Sequence, residues 1–471
     1  MKSSVKLTLI IIFSVFLLLL PNLLRTHSTK LGGQTYFYER ISDLVDKEDK
    51  LPIYDELSYG GREFIYDLGP VYSFLFLKNV FGLNFTLNVS PILLGALTLI
   101  LFYLLLKRFN LENNENYIGM VLLAMSSMFL FIFTSYNEDI ITIPLVLLTF
   151  YLFTSKNNFA KNTSLILLFL LGLFSYKAVI LLLFAMLFYL VKEKRLKEFY
   201  LPLLISLISF LLFNLKRILL NGFVSTSFKE NYFKVIINEL GGSYGISLFL
   251  LFLTLFGLRY LWKSKYKYTH IYVITLSFTI LTLIDHEFII YFNFLIIYLS
   301  AVGLNHLLKS PWDSELIRKL TITLLLIGVI FSSYTSLNYV KDSQPNDQLT
   351  QALGTFRSEG DPSEIVLSHY SYGFFINKIS GKTVYISQKF TSVPDFKQRY
   401  SDMQTIFYSR NADETNGLLN YYNIKYILIT KDMKEGLVWD DVDEGLLFVL
   451  ENSKEFKMII KNDYAEVWKI K

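Results

Sequence analysis

The sequence predicts an α-helical polytopic membrane protein of about eleven spans, followed by a small α/β domain. Three observations predict it. Apolar residues make up 53% of the 471, with 42 Phe and 32 Tyr, and the mean hydropathy is +0.41. The apolar residues fall in long runs, which a soluble domain rarely carries. Basic clusters follow alternate runs, and after residue 339 the pattern changes to short, mixed, polar segments.

The apolar runs fall near 6–25, 86–106, 117–134, 139–154, 163–175, 178–191, 200–215, 246–262, 271–284, 288–307 and 320–338. The first, KLTLIIIFSVFLLLLPNLL, is too long for the apolar core of a signal peptide. No small-x-small cleavage site follows it in RTHSTKLGG, so it reads as a retained span. Several later runs are shorter than ~20 residues, and 163–191 reads equally as one broken pair.

Charge orients the spans. Lys2 and Lys6, KRF at 107–109, SKNNFAK at 155–161, KEKRLKE at 192–198, KSKYKY at 263–268 and KSPWDSELIRK at 309–319 all fall on one side. That is the positive-inside pattern, which makes this side cytoplasmic. The N-terminus is then cytoplasmic. The opposite, extracytoplasmic side receives the loop 26–69, the turn SYNED, Tyr176-Lys177, the loop 216–245, Asp285-His286-Glu287 and everything after about 339.

The boundaries that follow are a transmembrane domain over 1–338, with an outer loop at 26–85, and an extracytoplasmic domain over 339–471. In the tail, NDQLTQALGTFRSEG and DETNGLLNYYN read as helices, and EIVLSH, KTVYIS and KYILIT as strands. FKMIIKNDYAEVWKI reads as a hairpin turning at Asn462-Asp463. Alternating helices and strands predict an α/β domain. In the first loop Phe37, Ile41, Leu44 and Val45 share one helical face, which suits a helix lying in the membrane interface.

Composition excludes several chemistries. With no cysteine there is no disulfide, thiolate metal site or thiol nucleophile. The five histidines are scattered, without metalloprotease spacing, and no GxxxxGK[ST] loop provides for ATP. A net charge of +5 explained by topology gives no nucleic-acid signal. Carboxylates, His or Tyr must do the chemistry, with Lys and Arg as cation partners.

Those residues concentrate in four extracytoplasmic stretches. YDELSYGGREFIYDLGP gathers Asp55, Glu56, Arg62, Glu63 and Asp67 beside tyrosines, either as a site or as an ordered loop in which Arg62 pairs with one acid. SYNED sets Glu138 and Asp139 side by side, with no base adjacent, at a depth where ionised acids are costly. Such a pair repels unless a cation or hydroxyl donor is shared; a polar turn would explain it equally. Lys177, between two apolar runs, either snorkels or binds a lipid phosphate as a point charge. Lys216 and Arg217 interrupt the positive-inside pattern in the same way. Asp285-His286-Glu287 sets a histidine between acids, which suits proton transfer or metal binding.

These stretches resemble the GT-C superfamily of membrane glycosyltransferases, which use polyprenyl-phosphate-linked sugars. IYDELSYGGREFIYDLGPVYSFLF resembles the first outer loop of prokaryotic members. SYNEDIITIPLVLLTFYLF is similar to the second acidic motif of oligosaccharyltransferase catalytic subunits. GLFSYKAVILLL resembles the lysine-bearing turn of protein O-mannosyltransferases and aminoarabinose transferases. DHEFIIYFNFLIIYLSAVGL resembles the His-Glu motif of lipid-linked mannosyltransferases. Two departures stand out. Gln34, in GGQTYFYER, occupies the place of an Asp that the family often carries, and the WWDYG signature of oligosaccharyltransferases is missing.

The resemblance implies an inverting transfer of one sugar from a polyprenyl-phosphate-linked donor to a lipid, glycan or protein acceptor, within membrane lipid and without nucleic acid. It assigns the base to Asp55 or Glu56. Arg62, Lys177 and Arg217 would hold the lipid phosphate, and His286 and Glu287 would contact substrate. Glu138 and Asp139 would orient base or sugar or, with Asp55, help hold a divalent cation such as Mg or Mn. A lipid-linked glycan flippase, oligosaccharyltransferase-like transfer to protein, and a membrane anchor for a functional tail are the competing readings. A flippase should show related halves and mid-span polar residues; no repeat is visible, and residues such as Asn293 are few.

Overall fold

The computed structural model describes residues 3–64, 66–109, 111–221, 237, 245–388, 393, 395–441 and 443–471. By contact the chain divides into two compact units. One comprises Met1–Arg25, Asp67–Lys216 and Ser225–Asp342; the other comprises Thr26–Tyr66, Arg217–Val224 and Ser343–Lys471. The division differs from a single cut at 338/339, because the first loop groups with the tail.

The first unit is helical. Among the described residues six helices are long and apolar enough to cross a membrane: Ser4–Leu24, Phe85–Arg108, Leu196–Lys216, Lys265–Ile284, His286–Lys309 and Glu315–Lys341. A seventh is counted if Asn113–Ala124 and Ser127–Thr134, bent by 58°, form one broken span; Asp139–Phe153, Asn158–Leu171 and Leu248–Trp262 are shorter apolar helices. The chain is a polytopic membrane protein.

The helix Ile289–Lys309 is its centre, because nearly all of its faces are buried. Two glycines let the helix Leu248–Trp262 approach it closely. A Cβ on Gly303 would lie 2.1 Å from the Leu253 carbonyl oxygen, and one on Gly257 2.1 Å from that of Leu299. Backbone contact of this kind needs small residues at the crossing, as in other membrane helix pairs. Beside it the Thr254 and Ser300 hydroxyls lie 3.0 Å apart, and Ser300 donates to the Leu250 carbonyl at 2.9 Å.

The predicted span 117–134 is broken at Ser126. A break within a membrane frees backbone groups that must find partners in protein. The Ser126 side chain accepts from the Phe129 amide at 3.3 Å, Asn293 donates to that same hydroxyl oxygen at 3.2 Å, and Ser333 donates to the Met125 carbonyl at 2.5 Å. Asn293, the conspicuous mid-span polar residue, is therefore tied to the break.

The second unit carries the α/β sheet. Its strands are β3 (Ile365–Leu367), β4 (Thr383–Val384), β5 (Ile424–Thr430), β6 (Phe456–Lys461) and β7 (Ala465–Ile470), in the order β4-β3-β5-β7-β6. β3 is parallel to β4 and β5, while β7 runs antiparallel to β5 and β6. The predicted hairpin is β6–β7, and its turn is held by the Asn462 side chain accepting from the Tyr464 and Ala465 amides at 3.0 and 2.7 Å. The predicted helices appear as Asp347–Phe356 and Ala412–Tyr421.

The first loop packs into this unit. The helix Gly33–Glu48 buries Phe37 and Ile41 to 1% exposure. Phe37 lies against Phe374 and Tyr36 against Phe375, with ring centroids 5.1 and 5.2 Å apart. The face expected in the membrane interface is thus spent on protein packing. A small hairpin follows, β1 (Tyr54–Asp55) antiparallel to β2 (Arg62–Glu63). Its turn backbone joins the β4 edge: the Gly60 amide donates to the Val384 carbonyl at 3.1 Å, and the Val384 amide to that of Leu57 at 3.0 Å. Gly60 and Gly61 take φ of +79° and +94°, where only glycine is unstrained.

Candidate active site

The predicted site residues divide between the units. Asp55, Glu56 and Arg62 belong to the second, and Arg217 groups with it; Glu138, Asp139, Lys177, His286 and Glu287 belong to the first. The side chain of Arg217 lies outside the described residues.

In the second unit Asp55 is 1% exposed. Its two carboxylate oxygens accept from the two terminal nitrogens of Arg40 at 2.7 and 2.6 Å, and one also accepts from the Leu57 amide at 3.3 Å. The Tyr66 hydroxyl lies 3.4 Å from the other. Burial works against the charge on Arg40, and the Asp55 carboxylate more than offsets it, so the guanidinium is held above its ordinary pKa. A bidentate pair of this kind is strong and geometrically fixed. Glu56, next in sequence, is exposed, and its carbonyl accepts from the Thr383 hydroxyl at 3.3 Å. Arg62 is half-buried, with its guanidinium 5.5 Å from the centre of the Tyr59 ring.

The first unit carries three of the short turns, and two of them meet at Lys177. SYNED opens the helix Asp139–Phe153, and the Asn137 side chain accepts from the Asp139 amide at 2.9 Å. The acid pair therefore sits at a helix N-terminus, where the macrodipole favours negative charge. Both acids are half-buried.

Lys177 lies in the first turn of the helix Tyr176–Lys192, capped by Ser175. A cation there opposes the macrodipole, and this one is buried, with 7% of its side chain exposed. Its position is held from outside: Nζ lies 2.6 Å from Asp285 and 2.6 Å from Glu287. Asp285 ends the helix Lys265–Ile284 and caps the short turn His286–Phe288, accepting from the Glu287 amide at 3.1 Å. His286 within that turn is half-buried.

Tyr291 on the central helix is 7% exposed. It feels the charges of Asp139, Glu287 and Glu138 and is hydrogen-bonded with Ser175. Sequence reasoning singled out neither Asp285 as a ligand of Lys177 nor Tyr291. Tyr291 stands four residues after Glu287, on the same helical face, and that spacing was the available signal. Among the described residues no three His, Cys, Asp or Glu side chains gather into a set able to hold a metal.

Residues 71–215 match the family model of dolichyl-phosphate-mannose-protein mannosyltransferase. No curated protein sequence matches the chain. Among solved structures, the Archaeoglobus fulgidus oligosaccharyltransferase in its apo form is similar over 96% of this chain and 73% of its own, at 13% identity and a TM-score of 0.62. The AglB oligosaccharyltransferase of that organism, with an inhibitory peptide and a dolichol-phosphate, is similar over 91% of this chain and 70% of its own, at 12% identity and 0.59. ArnT from Cupriavidus metallidurans, bound to undecaprenyl phosphate, is similar over 98% and 97%, at 10% identity and 0.57. The fold is the one these oligosaccharyltransferase and ArnT structures share.

Proposed function

We propose that the chain is a membrane glycosyltransferase that moves one sugar from a polyprenyl-phosphate-linked donor to an acceptor hydroxyl on the extracytoplasmic side. The observation that carries this reading is Lys177, a buried cation at a helix N-terminus, set within 2.6 Å of two carboxylates. A purely structural helix start has no use for that arrangement. The family match, which names a dolichyl-phosphate-linked sugar, supports the reading. So do the similar proteins that hold dolichol-phosphate and undecaprenyl phosphate.

In this reading Lys177 steadies the negative charge that develops on the departing lipid phosphate. Glu138 or Asp139 takes the proton from the acceptor hydroxyl. The acceptor oxygen attacks the anomeric carbon as the bond from that carbon to the phosphate oxygen breaks, and the electron pair leaves on the phosphate with inversion. Asp55, clamped by Arg40, holds the first loop in shape. His286 is assigned to substrate contact. A divalent cation, if used, would share Glu138 and Asp139 with the substrate's own oxygens.

The test is sugar transfer from a polyprenyl-phosphate donor in proteoliposomes. Lys177→Met, Glu138→Gln and Asp139→Asn are each compared with the unaltered chain. Lys177→Met and at least one acid variant should lose roughly 100-fold or more while inserting normally. Full activity in all three would end the proposal.

A further inference from the structure

The two carboxylates on Lys177 are not equivalent. Asp285 is buried, with 8% of its side chain exposed, and its second oxygen caps the turn it stands in. It is fixed from both sides. Glu287 reaches Lys177 at the same 2.6 Å, yet 37% of its side chain is open to the surroundings. The lysine is thus approached by one built-in acid from the interior and one movable acid from the open side. One cation facing two anions leaves an excess negative charge. An arriving phosphate would meet repulsion unless one acid withdrew.

Building on the phosphate role proposed for Lys177, we infer that Glu287 is a placeholder. Its carboxylate occupies the position on Lys177 that the donor's phosphate takes, and it swings off when the phosphate arrives. Asp285 stays and keeps the ammonium aimed. Carboxylate and phosphate oxygens accept from an ammonium alike, so the exchange conserves the lysine's hydrogen bonding. An ammonium has three donors; Asp285 accepts from one, and Glu287 occupies a second while the site is empty. The exchange also makes Glu287 a determinant of donor affinity rather than of the chemical step.

The test is direct binding of a short-chain polyprenyl phosphate to the full chain in detergent. The matching polyprenol and inorganic phosphate serve as controls for tail and headgroup. Glu287→Gln, at a half-exposed position that should not disturb folding, should bind the polyprenyl phosphate roughly threefold to tenfold more tightly. Polyprenol binding should not change. Asp285→Asn should bind more weakly, because it loosens the lysine and the turn together. Equal or weaker binding by Glu287→Gln, with binding still abolished by Lys177→Met, would overturn the placeholder and leave the phosphate role of Lys177 standing. Equal tightening by both acid variants would overturn it as well. Binding unaffected by Lys177→Met would remove the underlying reading and this inference with it.

Discussion

Replacing Asp55 by asparagine removes one of two charges that bury each other. Arg40 and Asp55 expose 6% and 1% of their side chains and share two bonds of 2.7 and 2.6 Å. Breaking a buried pair by removing one partner costs about 3–5 kcal/mol, because the other charge is left uncompensated. Asparagine keeps the shape and one acceptor oxygen, so the lower end applies. About 3 kcal/mol corresponds to a roughly 100-fold faster opening equilibrium. Hydrogen exchange can read this at the Val384 amide, which donates to Leu57 beside the pair, and at the Tyr385 amide, which donates to Val366 within the sheet. Glu56→Gln, at an exposed neighbour, should change protection by less than about 0.5 kcal/mol. The double variant Arg40→Met/Asp55→Leu should recover much of the loss, since apolar replacement of a whole buried pair is often near neutral. If Asp55→Asn left both amides as protected as before yet abolished sugar transfer, the clamp argument would be refuted. Asp55 would then return as the catalytic base.

Other consequences can be measured separately. Gly303→Val forces a Cβ into the Leu253 carbonyl, so the detergent-solubilised protein should melt markedly lower or fail to accumulate. Unchanged thermal stability would contradict the close helix crossing. Burial holds the His369 pKa down to about 4, below an unfolded value of about 6.5. The neutral ring is favoured in the fold, so its contribution is complete above about pH 6.5 and is lost as pH falls towards 4. Protection factors of the β3 amides, which remove the intrinsic pH dependence of exchange, should fall over that window, and His369→Gln should flatten the dependence. Tyr291→Phe removes a buried hydroxyl that feels the charges of Asp139, Glu287 and Glu138. It should lower sugar transfer by roughly tenfold and shift its pH profile; a fall in rate with an unshifted profile would mean a packing role.

Local patterns were legible in the sequence. Alternation in FKMIIK and AEVWKI, with Asn462-Asp463 between them, specifies the β6–β7 hairpin. Charge alternation predicts one side for Lys177 and the Asp285–Glu287 turn, and the structure brings those two together. What could not be read is what distant pairing decides. Phe37 and Ile41 form an apolar helical stripe whether a bilayer or Phe374 covers it. Asp55 looks like a free acid in DELSY because Arg40 stands fifteen residues back on a helix whose orientation only packing fixes. The break at Ser126 hides in an unbroken apolar run, since its compensating groups come from Asn293 and Ser333. Asp285 reads as a turn residue until Lys177, more than a hundred positions away, is brought beside it.

The union of the first loop with the tail has a consequence for biosynthesis. The Asn377 side chain donates to the Leu57 carbonyl across 320 positions of chain. At about 5–20 residues per second the ribosome needs roughly 15–60 s to make that stretch. For that interval the segment 26–66 is translated but lacks the strand edge and aromatic surface that complete it. A nascent chain stalled before residue 343 should therefore expose Phe37 and the Arg40–Asp55 pair to protease and chaperone, and a tail produced by itself would lack the piece that closes its β4 edge.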